Sequence, residues 1–230
     1  MAPELIRRTR AALPGVDLTQ VYGLSETGYL TGLRGAEHTE QRLTSCGRPC
    51  PGVELAVVDE HGTPVPVGHS GELVTRGANV TPGYWNKPEE TARSFRAGFF
   101  CTGDVGYQDA QGFFYILDRI KDMIVTGGEN VYSAEVEAVI KQHPAVREVA
   151  VFGIPDATWG ELVMACVVLE REASISAEEL TSHCQRRLAH FKVPRRIEFS
   201  TTELPKGGSG KILKRALRAR YWQYEARAVG

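Results

Sequence analysis

No apolar run in this chain approaches the roughly 20 residues that a membrane-crossing helix needs; the longest spans residues 162–169. The opening Met1-Ala2-Pro3-Glu4 also lacks the basic and apolar regions of a secretory leader, so a cytoplasmic protein without a membrane span is expected. Cysteine is sparse: Cys46, Cys50, Cys101, Cys166 and Cys184 are odd in number and widely spread, which favours reduced thiols over a disulfide framework. Only Cys46 and Cys50 lie close together, and no neighbouring segment offers the two further ligands that zinc would require. Net charge is nearly absent at -1, although from Arg186 onward Lys and Arg outnumber Glu198, Glu203 and Glu225. That basic stretch reads first as a solvated helix face and second as an attractor of polyanionic substrates. No aromatic-rich motif accompanies it, so nucleic acid is not an expected partner.

What is present is an ordinary globular composition, 42% hydrophobic and 24% charged over 230 residues, enough for one large or two modest domains. The pattern favours two. Residues 3–13 read as a short helix closed by Pro14-Gly15, with a strand at 18–22. Between 46 and 100 the chain is rich in Gly and Pro, with short alternating runs such as Val53-Glu54-Leu55-Ala56-Val57-Val58 and Gly71-Glu72-Leu73-Val74-Thr75-Arg76. That pattern predicts a small distorted β-barrel. Asp109-Ala110-Gln111-Gly112 reads as a hairpin turn. After Arg119 helices and strands alternate, so the boundary is set at 120/121, with 1–120 as the first domain and 121–230 as a small α/β lobe. Ser133 is expected to cap a helix that His143-Pro144 stops. Ser176-Ala177-Glu178-Glu179 is a capping box, strands are expected at 146–152, 163–169 and 197–199, and Leu213, Leu217 and Tyr221 share a face of a final helix. The fold class is mixed α/β.

Four segments carry chemically useful residues. Tyr22-Gly23-Leu24-Ser25-Glu26-Thr27 follows a strand with a ring, a glycine that admits close backbone approach, a hydroxyl donor and a carboxylate able to hold Mg²⁺. Thr102-Gly103-Asp104 sets a carboxylate after a glycine turn, and Arg119 offers a fixed fork of donors beyond the hairpin. Residues 119–137, running Arg-Ile-Lys-Asp-Met-Ile-Val-Thr-Gly-Gly-Glu-Asn-Val-Tyr-Ser-Ala-Glu-Val-Glu, join a charged turn at Lys121, the pair Gly127-Gly128 and a helix start. Gly207-Gly208-Ser209-Gly210-Lys211 is not a P-loop, because Pro205 stands where the first glycine belongs and Ile212 where Ser or Thr belongs. Taken singly, each is more often a plain turn.

In this order and rough spacing the four segments resemble the adenylate-forming (AMP-binding) superfamily of acyl-CoA synthetases, peptide-synthetase adenylation domains and firefly luciferase. Gly-Gly-Glu-Asn-Val and Gly83-Tyr84-Trp85-Asn86-Lys87-Pro88 look closest to the fatty- and aryl-acyl-CoA synthetases. The resemblance implies an AMP-forming acid–thiol ligase: a carboxylic acid and ATP give acyl-adenylate, then CoA displaces AMP. It implies ATP, Mg²⁺ and CoA as cofactors and a fatty or aryl acid as substrate. By the same resemblance Tyr22, Gly23, Ser25, Asp104, Arg119 and Lys211 contact the nucleotide, with Asp104 on the ribose, and Glu26 holds the metal. Lys211, Ser25 and Glu26 would be catalytic, Lys121 the hinge of the small lobe, and Gly127 and Gly128 the lining of the pantetheine tunnel. Ser25 departs from the usual threonine, and Tyr132-Ser133 from Tyr-Pro. A Ser/Thr/Gly-rich phosphate loop, which in that family precedes Tyr22 by a long way, is not among these residues. The resemblance therefore implies the back half of such an enzyme, its first domain a remnant of the large N-terminal domain, active with a separate or restored N-terminal half. The alternatives are a non-catalytic, partner-binding remnant and a ligase that loads the phosphopantetheine of a carrier protein.

Overall fold

The computed structural model describes residues 3–208 and 210–228, with side chains through 222. Ser209, inside the predicted lysine loop, lies outside the described residues. The chain divides into two compact units, 1–120 and 121–230.

The first unit begins with helix α1 (Pro3–Ala12) and strands β1 (Gln20–Leu24), β2 (Gly28–Leu33), β3 (Ser45–Pro49), β4 (Glu54–Val58) and β5 (Gly71–Arg76). Helix α2 (Pro88–Ser94), the short β6 (Phe95–Arg96), β7 (Phe99–Gln108) and β8 (Phe114–Arg119) complete it. The long strands pair in the order β1-β2-β3-β8-β7-β5-β4, with β6 on β7. The path is open: β1 and β4 are its two edges, so these strands form an open sheet that does not close into the small distorted β-barrel that the Gly- and Pro-rich pattern predicts. Irregularities in the β1–β2, β3–β8, β5–β7 and β7–β8 ladders bend the strands, because each extra residue raises local twist. Cys46, Val57, Leu73 and Phe114 form one core cluster on this sheet, and Leu33, Phe113 and Tyr115 another. The hairpin at 109–112 forms as the sequence predicts, Asp109 Oδ1 accepting from the backbone N–H of Gln111 and of Phe113 at 2.9 Å each.

The second unit holds the hairpin of β9 (Ile124–Thr126) and β10 (Glu129–Val131), then α3 (Ser133–Lys141), β11 (Val146–Asp156) and β12 (Gly160–Leu169). Helix α4 (Ala177–Gln185), β13 (Arg196–Phe199) and α5 (Lys214–Ala228) follow. β12 lies between antiparallel β11 and parallel β13. The uninterrupted apolar run of β12 is explained by burial on both faces. Val163, Ala165 and Val167 pack with Val136, Ile140 and Leu180 of α3 and α4, whereas Met164, Cys166 and Val168 pack with Leu204 and with Leu217 of α5. At about 1.5–3 kcal/mol for each large side chain buried, these two layers are the main driving force of the unit. Ser176 caps α4 through the predicted box, accepting from Glu179 N at 3.1 Å while Glu179 accepts from Ser176 N at 2.9 Å. Ser133 differs from expectation. It is the first residue of α3, with Tyr132 at the cap, and its buried hydroxyl accepts from Lys214 Nζ at 2.6 Å. The sequence shows a good capping residue but not the lysine that claims it. Among the described residues no helix is long and apolar enough to cross a membrane.

Candidate functional site

The predicted residues fall into a set on each unit. On the first, β1 turns into β2 within residues 24–28, so tightly that a Cβ on Gly23 would lie 1.8 Å from the carbonyl oxygen of Gly28. Only glycine fits there. Gly28 takes φ +58, and Thr27 Oγ1 accepts from Leu24 N at 3.1 Å. The turn is then held from outside by residues that sequence reasoning did not single out. Asn79 Nδ2 donates to Thr27 O at 2.6 Å, Thr81 N to Glu26 O at 2.8 Å, and the Tyr84 hydroxyl to Glu26 Oε1 at 3.0 Å. Tyr84 lies in the quoted Gly-Tyr-Trp-Asn-Lys-Pro motif, but nothing in a single sequence pairs it with Glu26.

Asp104 and Arg119 face each other in the β7–β8 ladder, and Tyr22 reaches the same carboxylate from β1. The Tyr22 hydroxyl donates to Asp104 Oδ2 at 2.8 Å, and Arg119 Nε sits 3.4 Å from Asp104 Oδ1. Three residues far apart in sequence thus meet at one buried carboxyl group, 6% exposed, whose cation partner is open to solvent. Thr102 sets the approach: its hydroxyl donates to Leu73 O at 2.7 Å and accepts from Asp104 N at 3.1 Å. Gly103, at φ +72, donates its N–H to Glu72 Oε1 at 3.2 Å. Burial first, and the Asp104 charge second, push the Tyr22 phenol well above its ordinary pKa, so it stays a donor. An ionised carboxylate has about four lone-pair positions, so Asp104 keeps acceptor capacity beyond Tyr22 and Arg119.

Glu26 is the only carboxylate in its turn, and no cluster of three or more metal-ligating side chains occurs among the described residues. That donor set does not suit a metal held by protein alone. It suits Mg²⁺, which is commonly bound through one or two carboxylates plus substrate phosphates.

On the second unit, Gly127 and Gly128 form the two-residue turn between β9 and β10 at φ +59 and +83, a conformation that favours glycine. Gly127 N donates to Trp159 O at 2.8 Å, and a Cβ on Gly127 would come within 2.7 Å of the Trp159 ring. Lys121 lies in a single 3₁₀ turn, Ile120–Asp122, and its side chain is exposed. Lys211 ends a glycine turn whose base is closed by the Lys206–Ile212 bridge and by Gly207 N donating to Lys211 O at 2.8 Å. Lys206 anchors that base, with Nζ 2.6 Å from Glu148 Oε1. Lys211 itself is exposed. Two clefts within single units, about 320 Å³ beside His190 and Arg195 and about 140 Å³ beside Pro64 and His69, contain none of the predicted residues.

The family model described as AMP-binding enzyme matches residues 1–85, and the AMP-binding enzyme C-terminal domain matches residues 135–211. The chain is 46% identical over 224 residues to a medium/long-chain-fatty-acid–CoA ligase of Mycobacterium tuberculosis, covering 94% of this chain and 39% of that protein. It is 45% identical over 204 residues to a 2-succinylbenzoate–CoA ligase of Geobacillus kaustophilus, covering 89% and 41% respectively. Among solved structures it resembles the o-succinylbenzoate CoA synthetase of Bacillus subtilis in complex with its acyl-adenylate intermediate. There the TM-score is 0.86 at 37% identity, over 94% of this chain and 43% of that one. The chain thus spans about two fifths of the length of the relatives it matches. Carrying the two domain models in succession, and similar to these ligases along nearly its whole length, the chain belongs to the AMP-binding enzyme family of adenylate-forming ligases.

Proposed function

We propose that this chain supplies the ribose-binding and lysine-bearing parts of an acyl-CoA synthetase, which joins a fatty or aryl carboxylic acid to CoA through an acyl-adenylate. The observation that carries this reading is the convergence of Tyr22 and Arg119 on buried Asp104. A carboxylate fixed by one hydrogen bond and one ion pair and still able to accept is suited to both ribose hydroxyls of a nucleotide. Arg119 offers positive charge beside them, and the Tyr22 ring presents an apolar surface for adenine. Ser25, exposed on the β1–β2 turn, is the donor we assign to phosphate, and Glu26, steadied by Tyr84, the metal ligand. Bound there, Mg²⁺ would neutralise phosphate charge as the acid attacks.

Lys211 we assign to the transition state, where an ammonium beside the carboxylate and the α-phosphorus offsets developing charge. Its place on a glycine turn with a pinned base gives the side chain reach while the base stays registered on β11. Lys121 would serve as the hinge on which the second unit turns between the two half-reactions, and Gly127 and Gly128 would leave room for the pantetheine arm. The cradle for the β- and γ-phosphates is not among these 230 residues, so the activity we propose is that of the chain together with a segment bearing that loop. We place this activity in the cytoplasm, where ATP and CoA would be at hand.

The experiment joins the chain to the phosphate-loop region of the M. tuberculosis relative and follows acid-dependent exchange of pyrophosphate into ATP with a panel of fatty and aryl acids. Exchange with at least one acid, followed by thioester on adding CoA, is the expected result. Exchange without thioester, restored by a phosphopantetheinylated carrier, would reassign the acceptor. Absence of exchange with every acid would overturn the assignment.

A further inference from the structure

Helix α5 reaches back to the first residues of its own unit. Arg218 Nη1 donates to the backbone carbonyl of Lys121 at 3.0 Å, and Nη2 meets Glu161 Oε1 at 3.0 Å. The other oxygen of that carboxylate, Oε2, accepts from Val125 N at 3.0 Å. One guanidinium–carboxylate pair therefore clamps the segment 121–125 at both ends. The pair is well shielded, its side chains 24% and 15% exposed, and charge-assisted bonds in such surroundings are among the stronger ones. Two further features hold it in place. The Arg218 guanidinium lies 5.1 Å from the centre of the Trp222 ring, whose Nε1 donates to Gly153 O at 3.3 Å. Gly153 leaves the space that the carboxylate occupies, since a Cβ there would lie 2.4 Å from Glu161 Oε2.

On the other side of Lys121 the chain is held by the first unit, because Arg119 is the last residue of β8 and pairs with Asp104 in the β7–β8 ladder. Rotation must then be absorbed by the backbone between these two fixed points. We infer that Arg218 is a positioning residue that sets the near limit of the hinge. By holding the Lys121 carbonyl it makes the peptide plane after Lys121 part of the second unit and confines rotation to the torsions from ψ of Arg119 to ψ of Lys121. A hinge is sharp when few torsions carry the change, and a sharp hinge returns the unit to the same orientation each time. The inference rests on the reading of Lys121 as a hinge, but the clamp exists whether or not the chain turns over substrate.

Hydrogen exchange on the 230-residue chain tests it. Arg218→Met and, independently, Gly153→Ala, which displaces the Glu161 carboxylate without touching Arg218, should each speed exchange across residues 120–126 by about tenfold. The β11–β12 ladder away from the substitution, around Val149 and Val167, should be unchanged. Unchanged exchange at 120–126 in both variants would overturn the inference, and so would an equal rise in the ladder, which would make Arg218 a general support of the unit. Because exchange is read without substrate, it is independent of adenylation: a chain that showed the contrast but no pyrophosphate exchange once completed would keep the clamp and lose the enzymatic reading.

Discussion

The two units hold their candidate residues in opposite ways. On the first, Asp104 is buried, bonded to Tyr22 and paired with Arg119, its backbone N–H is bonded to Thr102, and that of neighbouring Gly103 to Glu72. On the second, Lys211 is exposed on a glycine turn, and what is bonded is the base of the turn, through Lys206 and Glu148. A group that must meet the same ligand atoms each time benefits from a fixed geometry. A group that must approach two anions late in a reaction benefits from a fixed base and a free tip. The contrast matches the roles we propose, and substitution on each side should act differently.

The largest effect is expected at the free tip. Lys211→Ala, in the chain completed by a phosphate-loop segment, should slow adenylation by about 10²–10³-fold, on the scale of losing one preorganised donor, while the melting temperature stays the same because the side chain is exposed. Steady-state pyrophosphate exchange beside a thermal melt would separate the two quantities, and a matching fall in melting temperature would break the comparison. Asp104→Ala should do the reverse in kind. It removes the shared partner of Tyr22 and Arg119, so nucleotide affinity should fall about 10–100-fold and the first unit should lose about 1.5–3 kcal/mol, read by calorimetric titration and urea unfolding.

Much of the second unit is legible in the sequence because its signals are local. The Ser176 box needs only four residues, and the run 162–169 is long enough to mark a strand buried on both faces. The sheet of the first unit is less legible. Gly and Pro punctuation marks its short strands, but whether their path closes depends on which strand meets which across up to 70 residues, as with Ser45 facing Tyr115. The site divides likewise. Tyr22, Asp104 and Arg119 could be nominated from their motifs, whereas the residues that aim them could not. Asn79, Thr81 and Tyr84 hold the Glu26 turn from more than 50 residues away, and Lys214 takes Ser133 from 81 away. Such partners are fixed by packing and leave no periodicity.

Gly23→Ala sharpens the comparison from the side of stability. With the Gly28 carbonyl 1.8 Å from the new Cβ, the β1–β2 turn must shift, at a cost of about 1–3 kcal/mol. Urea unfolding should show that loss in the first unit while the second unit, followed by the exchange of its β11–β12 ladder, is unaffected. The smallest effect is on pH dependence. The Tyr22 phenol titrates well above 10.0 when folded, chiefly through burial and then through Asp104. Its contribution to stability is therefore fully present below pH 10 and is lost as pH rises beyond that, where the unfolded chain releases the proton and the folded one does not. Denaturant midpoints between pH 8 and 11 should fall at the alkaline end, and Tyr22→Phe should flatten that fall; an identical slope in the variant would remove Tyr22 from the buried pair.

The central claim, that the first unit carries a preformed nucleotide site around Asp104, is tested most directly by titrating AMP into the 230-residue chain and following its backbone amides by NMR. Saturable shifts at Tyr22, Gly103, Asp104 and Arg119, with a midpoint moved to about 10–100-fold higher nucleotide in Asp104→Ala, are the predicted result. Shifts scattered over the basic surface from Arg186 onward, or none at these four amides at saturating nucleotide, would contradict it.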